Sequence, residues 1–334
     1  MIFILQEGKL IIESDKFTLN QFKFENNCML ENAVVEYIIK GTPKFDEEGS
    51  ISNAILICHK FDGNSYAIDE LYPLTHDGGP LDLNKYFIIS ITSLGTSESC
   101  SPSTTHLRQK FPEYTFKDKV NFKKQFLKDK FNIEKVLGIV GTGMGGYEVF
   151  TWACEYPEDM EFIIIINSSY KTNGYRYVVS KSINSVMMAS DDFSAGIYNE
   201  SLSRLMVSIN QILYSNYFSR KLFQEMSNDE IDYLMEEYIE QSLHRDIYDL
   251  KYQNDAIINY NVENQLSNIK AKTLVFYPSD DLYFSKKYDC LPLKDLIDDC
   301  EVVFFDLADD FYDGPIDFEK LVDILNPFLE DYCK

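Results

Sequence analysis

The residues best placed for chemistry are Gly141-Thr142-Gly143-Met144-Gly145-Gly146, set between an apolar run, Val136–Val140, and a helical pattern, Gly146–Tyr156. A Gly-x-Ser-x-Gly turn in that setting lifts a hydroxyl out of the sheet onto a strained apex, where a neighbouring base activates it as a nucleophile. Here the centre of the pattern is Gly143, which has no side chain. Two other readings fit the same glycines. Gly141, Gly143 and Gly146 also spell Gly-x-Gly-x-x-Gly, the spacing that cradles a dinucleotide pyrophosphate at a helix N-terminus. That reading expects an early strand-helix-strand unit and an acidic residue ending the following strand, and the sequence offers neither. The third reading is a structural tight turn.

A nucleophile needs a base and an orienting acid. The four histidines are His59, His76, His106 and His244, so none lies in the last ninety residues. Carboxylates and phenols are plentiful there. Pro278-Ser279-Asp280-Asp281-Leu282-Tyr283 is one cluster, and Asp306–Gly314, with Phe311, Tyr312 and Asp313, is another.

These groups need a scaffold. The apolar runs Ala54–Cys58, Tyr86–Ile91, Val136–Val140, Phe162–Ile166, Thr273–Tyr277 and Val302–Phe305 are short, β-branched and aromatic, and continuous rather than alternating, which predicts strands covered on both faces. Helical patterns at Phe116–Phe131, Gly146–Tyr156 and Phe318–Tyr332 fall among them, giving the alternation of a doubly wound α/β sheet. Glu31–Ile39 is a strand of a β-rich leader. Between about Tyr170 and Gln265 no strong strand run occurs, and the patterns at Leu202–Tyr214 and Asp229–Leu243 predict a helical cap over the sheet. The expected division is a first core part at 1–169, a cap at 170–265 and a second core part at 266–334.

Composition narrows the function. Of 334 residues, 31 are Lys or Arg and 54 are Asp or Glu, a net charge of −23. So acidic a chain is a poor ligand for nucleic-acid phosphates or an anionic membrane. Seven irregularly spaced cysteines without a C-x-x-C suggest neither a zinc site nor a redox pair and fit a reducing cytoplasm. The N-terminus lacks a basic region and is too short for a signal peptide, and no apolar run approaches the length that spans a membrane.

The order of motifs resembles the homoserine O-acetyltransferase family of the α/β-hydrolase fold, over roughly residues 15–330. The similar segments are Leu56-Ile57-Cys58-His59-Lys60-Phe61-Asp62-Gly63, Gly79–Ile89, Ser93-Leu94-Gly95, Phe111-Pro112-Glu113-Tyr114-Thr115-Phe116-Lys117-Asp118, Met144-Gly145-Gly146 with Trp152-Ala153, and Arg245–Val262. The resemblance implies an α/β-hydrolase fold, with a mostly parallel doubly wound sheet and an inserted helical cap. It makes Asp280 the triad acid, Gly143 the nucleophile position, and Tyr312 (or Phe311) the position of the triad histidine. The backbone N–H groups of Phe61 and Met144 become the oxyanion hole. Asp313, Asp281 and Tyr283 become candidate ligand-binding residues. The family also holds its substrate carboxylate with an arginine of the first cap helix. Arg176 is the only arginine between Tyr170 and Asp192, and it precedes the matching position near Ile183–Ser185.

Losing a triad serine or histidine costs about 10⁶-fold in a comparable triad. The sequence therefore leads to the expectation of a non-catalytic relative that binds a small molecule or a partner, with a homodimer retained and no metal or cofactor. The alternative is an acyltransferase or hydrolase-fold enzyme with a rearranged site that works without a covalent intermediate. A nucleotide-binding glycine loop is the third reading.

Overall fold

The computed structural model describes residues 3–6, 9–12, 14–279, 281–305 and 316–332. Its strands are β1 Phe3–Gln6, β2 Lys9–Ile12, β3 Asp15–Lys23, β4 Met29–Lys40, β5 Ala54–Cys58, β6 Phe87–Ile91, β7 Gly138–Thr142, β8 Phe162–Ile166, β9 Lys272–Pro278 and β10 Cys300–Phe305. Strands β1 and β2 pair with each other, and the other eight form one sheet in the order β10-β9-β8-β7-β5-β6-β4-β3. From β10 to β6 all pairs are parallel, while β4 runs antiparallel to both β6 and β3.

The continuous apolar runs have a simple cause. Successive side chains of a strand point to opposite faces, and here both faces are covered. Leu56 and Cys58 of β5 belong to one buried core, and Ile55 and Ile57 belong to the other. Likewise Ile163 and Ile165 of β8 face one core while Phe162, Ile164 and Ile166 face the second. Several predicted boundaries move, most by a residue or two, and two of the shifts bear on the site. The run Val136–Val140 becomes a strand two residues later, because Gly138 pairs with both Ile55 and Phe162 while Leu137 N–H closes onto the carbonyl of Ala54 outside the ladder. The following helix starts at Met144 rather than Gly146, immediately after the turn residue.

The helices are α1 Ala67–Glu70, α2 Tyr72–Thr75, α3 Phe116–Phe131, α4 Met144–Glu155, α5 Gly174–Met188, α6 Asp191–Ala195, α7 Glu200–Tyr214, α8 Arg220–Glu225, α9 Asn228–Ser242, α10 Ile247–Ile258, α11 Leu293–Leu296 and α12 Phe318–Phe328. The Phe-Pro-x-x-Thr-x-x-Asp motif is a capping box. Thr115 Oγ1 accepts the Asp118 N–H at 3.2 Å, and Asp118 Oδ2 accepts the Thr115 N–H at 2.9 Å. Asp118 Oδ1 also accepts the Glu25 N–H at 2.8 Å, which ties the leader strands to α3.

Helices α5 to α10 lie between β8 and β9 and have a small core of their own, with Ile183, Met187, Met206, Ile209 and Tyr248 at its centre. Asp249 of α10 fastens this layer to the loop after β6, accepting from the Ser103 N–H, the Ser103 hydroxyl and the Ser101 hydroxyl. Burial raises that carboxyl to about 6. Across the same seam Gln109 donates to the carbonyls of Phe193 and Ser194. No described helix is long and apolar enough to cross a membrane.

Candidate functional site

The six parallel strands end on one rim of the sheet, and the candidate site sits there. Thr142 of β7 pairs with Ile166 of β8, so the residues that follow, Gly143 and Asn167, emerge side by side. The Gly143 N–H donates to the Ile166 carbonyl at 3.0 Å, and the Asn167 N–H donates to the Phe276 carbonyl of β9 at 2.9 Å. Gly143 has φ 51° and ψ −117°, a conformation that L side chains rarely adopt. This is the strained apex expected of a nucleophile-bearing turn, carried by a residue that relieves the strain. A Cβ placed there would meet only Lys60, whose own Cβ would lie 3.4 Å away, so the missing side chain leaves open space.

The neighbouring glycines have packing reasons. A Cβ on Gly145 would drive into the Cys58 carbonyl, and one on Gly141 would lie 2.6 Å from the Gly145 carbonyl oxygen. They let α4 approach the ends of β5 and β7 closely. Among the described residues neither the Phe61 N–H nor the Met144 N–H has a hydrogen-bond partner, so both remain available as donors.

A cavity of about 190 Å³ lies over this apex. Gly143, Met144, Phe61, Asn167, Tyr147, Arg176 and Tyr283 are part of its wall. Arg176, set aside on sequence spacing as too early in the first cap helix, is a correction: α5 begins at Gly174, so its first turn overhangs the apex. Its guanidinium carbon lies 4.8 Å from the Tyr283 ring centre and 5.7 Å from that of Phe61, a cation held between two aromatic faces. Burial raises the Tyr147 and Tyr283 phenols, and the Arg176 charge opposes that in both. Spacing could not reveal this placement, because it depends on how the cap helix tilts over the sheet. The only signal was the residue type, a lone arginine in the segment. Asn167 was missed as well; its signal was its place directly after a strand.

Of the other expected residues, Tyr283 stands in the cavity wall, but Asp281 is turned to the backbone. Its Oδ1 accepts the N–H groups of Tyr283 and Phe284, each at 2.7 Å, so it shapes the turn that presents Tyr283. Asp280, Tyr312 and Asp313 lie outside the described residues. Asp62 and Lys60 are the other charged groups of the wall among the described residues.

Behind the oxyanion loop is a buried polar network. His59 Nε2 accepts the Ser93 N–H at 2.9 Å, and its Nδ1 lies 2.7 Å from the Lys60 carbonyl. Both partners are backbone groups, so the ring is neutral and its proton is on Nδ1. Burial, and then the Lys123 charge, lower its pKa to about 4. The Ser93 hydroxyl donates to Glu148, whose other oxygen lies 2.7 Å from the Lys123 amine; both side chains of that pair are fully buried. Lys119 donates to the Leu94 carbonyl at 2.7 Å. No cluster of three or more His, Cys, Asp or Glu suited to a metal occurs among the described residues.

Comparison with known proteins places this geometry. Residues 53–312 match the family described as alpha/beta hydrolase fold. The chain is 36% identical over 295 residues to a protein of Methanothermobacter thermautotrophicus named probable acyltransferase, covering 88% of this chain and 91% of that one. It is 32% identical over 195 residues to a homoserine O-acetyltransferase of Nautilia profundicola, spanning about half of each chain, 52%. An acetylester hydrolase from Corynebacterium glutamicum has the same fold, with a TM-score of 0.83 at 21% identity over 95% of this chain and 96% of that one.

These names overturn the expectation of a non-catalytic relative, because the similar sequences are named as acyltransferases. The strained turn at Gly143, the N–H groups of Phe61 and Met144, and an open cavity with the Arg176 guanidinium in its wall occur together.

Proposed function

The chain belongs to the α/β-hydrolase-fold family, in its homoserine O-acetyltransferase-like branch, and from that premise we propose that it is an acyl-transfer enzyme whose reaction proceeds without an acyl-enzyme intermediate. One observation carries the reading: Gly143 keeps the strained apex conformation with empty space where a side chain would stand. In a covalent relative that space holds the nucleophile. Here it is open to the attacking atom of the acyl acceptor itself.

In this reading the acceptor is a small hydroxy acid. Its carboxylate pairs with Arg176, whose planar fork suits a bidentate carboxylate contact and which already lies between two aromatic faces. The acceptor's hydroxyl oxygen attacks the carbonyl carbon of an ester or thioester. Negative charge develops on the former carbonyl oxygen, and the N–H groups of Phe61 and Met144 donate to it. Collapse of the tetrahedral species breaks the bond to the alcohol or thiol leaving group. The hydroxyl proton passes to a carboxylate and from there to the leaving group. Asp62 is the carboxylate of the cavity wall among the described residues, and Asp280 is the one the resemblance supplies. Holding both reactants over a preformed oxyanion hole provides rate enhancement by proximity and electrostatics even without a nucleophilic side chain.

The experiment is a transfer assay with acetyl-CoA or succinyl-CoA and a panel of hydroxy acids including L-homoserine, combined with intact-mass measurement during turnover. Turnover with an unmodified protein mass is expected. A stoichiometric acyl adduct would reject the non-covalent route. Absence of transfer from any ester or thioester to any panel member would reject acyl transfer.

A further inference from the structure

Asn167 has two features that a wall residue does not need for the fold. It is one of few non-glycine residues with positive φ, at 49°. Its side-chain Oδ1 is shut off from solvent and accepts no hydrogen bond from a described residue. Asparagine is tolerated in the left-handed region, so conformation alone would explain its type, and glycine would serve that purpose better. Conformation does not explain an unpaired buried carboxamide oxygen, which lowers stability. The position adds the rest. By strand register Asn167 stands beside Gly143, in the same cavity wall as Arg176.

We propose that Asn167 is a specificity residue whose side chain, turned so that its carboxamide oxygen enters the cavity, accepts a hydrogen bond from the hydroxyl of the acyl acceptor and orients that oxygen over Gly143. This rests on the acyl-transfer reading and adds to it the group that distinguishes a hydroxy acid from the same acid lacking the hydroxyl. Arg176 and Asn167 then hold the two ends of one short molecule, carboxylate at the cap and hydroxyl at the sheet. The contact is to a neutral donor, so its effect is modest: the hydroxylated ligand should bind about fivefold more tightly than its deoxy counterpart.

The test uses 4-hydroxybutyrate and butyrate as a matched pair, titrated into the full chain while the side-chain amide signals are followed by NMR. Wild type should bind the hydroxylated acid about fivefold more tightly, with a shift in the Asn167 side-chain resonance. Asn167→Gly keeps the backbone conformation and removes the carboxamide. It should melt no lower than wild type, bind both acids equally and raise KM for the hydroxy-acid acceptor in the transfer assay. Equal affinity of wild type for the two acids, or undiminished preference in Asn167→Gly, would overturn the proposal. Preference that is present in wild type and lost in Asn167→Gly, in a protein that transfers no acyl group, supports the recognition role and removes only the acyl-transfer reading.

Discussion

His59 and Ser93 are joined across the ends of β5 and β6 by a hydrogen bond in which the imidazole Nε2 accepts the Ser93 backbone N–H at 2.9 Å. With Nδ1 turned to the Lys60 carbonyl, this bond fixes the loop that carries the Phe61 N–H. It holds only while the ring is neutral. Because the pKa falls from 6.5 in the unfolded chain to about 4 in the fold, the unfolded state binds more protons between those values. Stability is therefore intact above pH 6.5 and is lost progressively as pH falls toward 4, by about 3 kcal/mol in full at 1.36 kcal/mol per pH unit. The Asp249 carboxyl, raised to about 6, gains stability over the same range, so the decline is read as the difference in urea-unfolding free energy between wild type and His59→Gln from pH 7.5 to 4. An equally steep decline in the variant would assign the acid sensitivity elsewhere.

The Lys123–Glu148 pair sits at zero exposure on both sides. Removing one partner leaves a buried charge uncompensated, which costs about 3–5 kcal/mol, whereas replacing both with apolar residues of similar volume is often close to neutral. Lys123→Met should be strongly destabilised, and Lys123→Met with Glu148→Leu should regain much of the loss. Denaturant midpoints of the singles and the double would show it. Simple additivity of the two losses would contradict a coupled pair.

Two glycines of one turn should respond differently to alanine. At Gly143 there is room, so the cost is backbone strain alone, about 1–3 kcal/mol. At Gly145 the added carbon overlaps the Cys58 carbonyl, and α4 can yield only by moving away from β5. Thermal denaturation should rank Gly143→Ala well above Gly145→Ala, and the same comparison with Gly143→Ser measures how readily the apex accepts a hydroxyl. A Gly143→Ala protein that fails to fold would show that the apex is not open.

Arg176 is expected to act on the acceptor rather than on the acyl donor. Arg176→Lys keeps the charge but loses the planar fork, so KM for the hydroxy acid should rise tenfold or more with a smaller change in kcat and none in KM for the acyl donor. Steady-state kinetics with each substrate varied in turn separates these. An equal rise in both KM values would point to a disturbed cavity instead of a lost carboxylate contact.

Local chemistry made much of this molecule legible in the sequence. The strands of the parallel sheet announce themselves because burial on both faces demands unbroken apolar runs, as in Phe162–Ile166. The capping box at Thr115 and Asp118 marks the start of α3 to the residue. The glycine at 143 is visible as the absence of a side chain at a turn that otherwise keeps its form. Each of these is a relation between near neighbours in the chain.

What the tertiary structure alone decided is which distant groups meet. Whether Arg176 is too early or well placed depends on the angle of a cap helix over the sheet, not on its spacing from a motif. Asn167 becomes notable only when strand register sets it beside Gly143 and its buried carboxamide oxygen is found without a partner. Asp281, as good a candidate as any carboxylate by sequence, is occupied by two backbone N–H groups of its own turn. Residue type and spacing fix elements because those depend on short-range sterics and burial. The contents of a cavity are fixed by long-range packing, which no local pattern encodes.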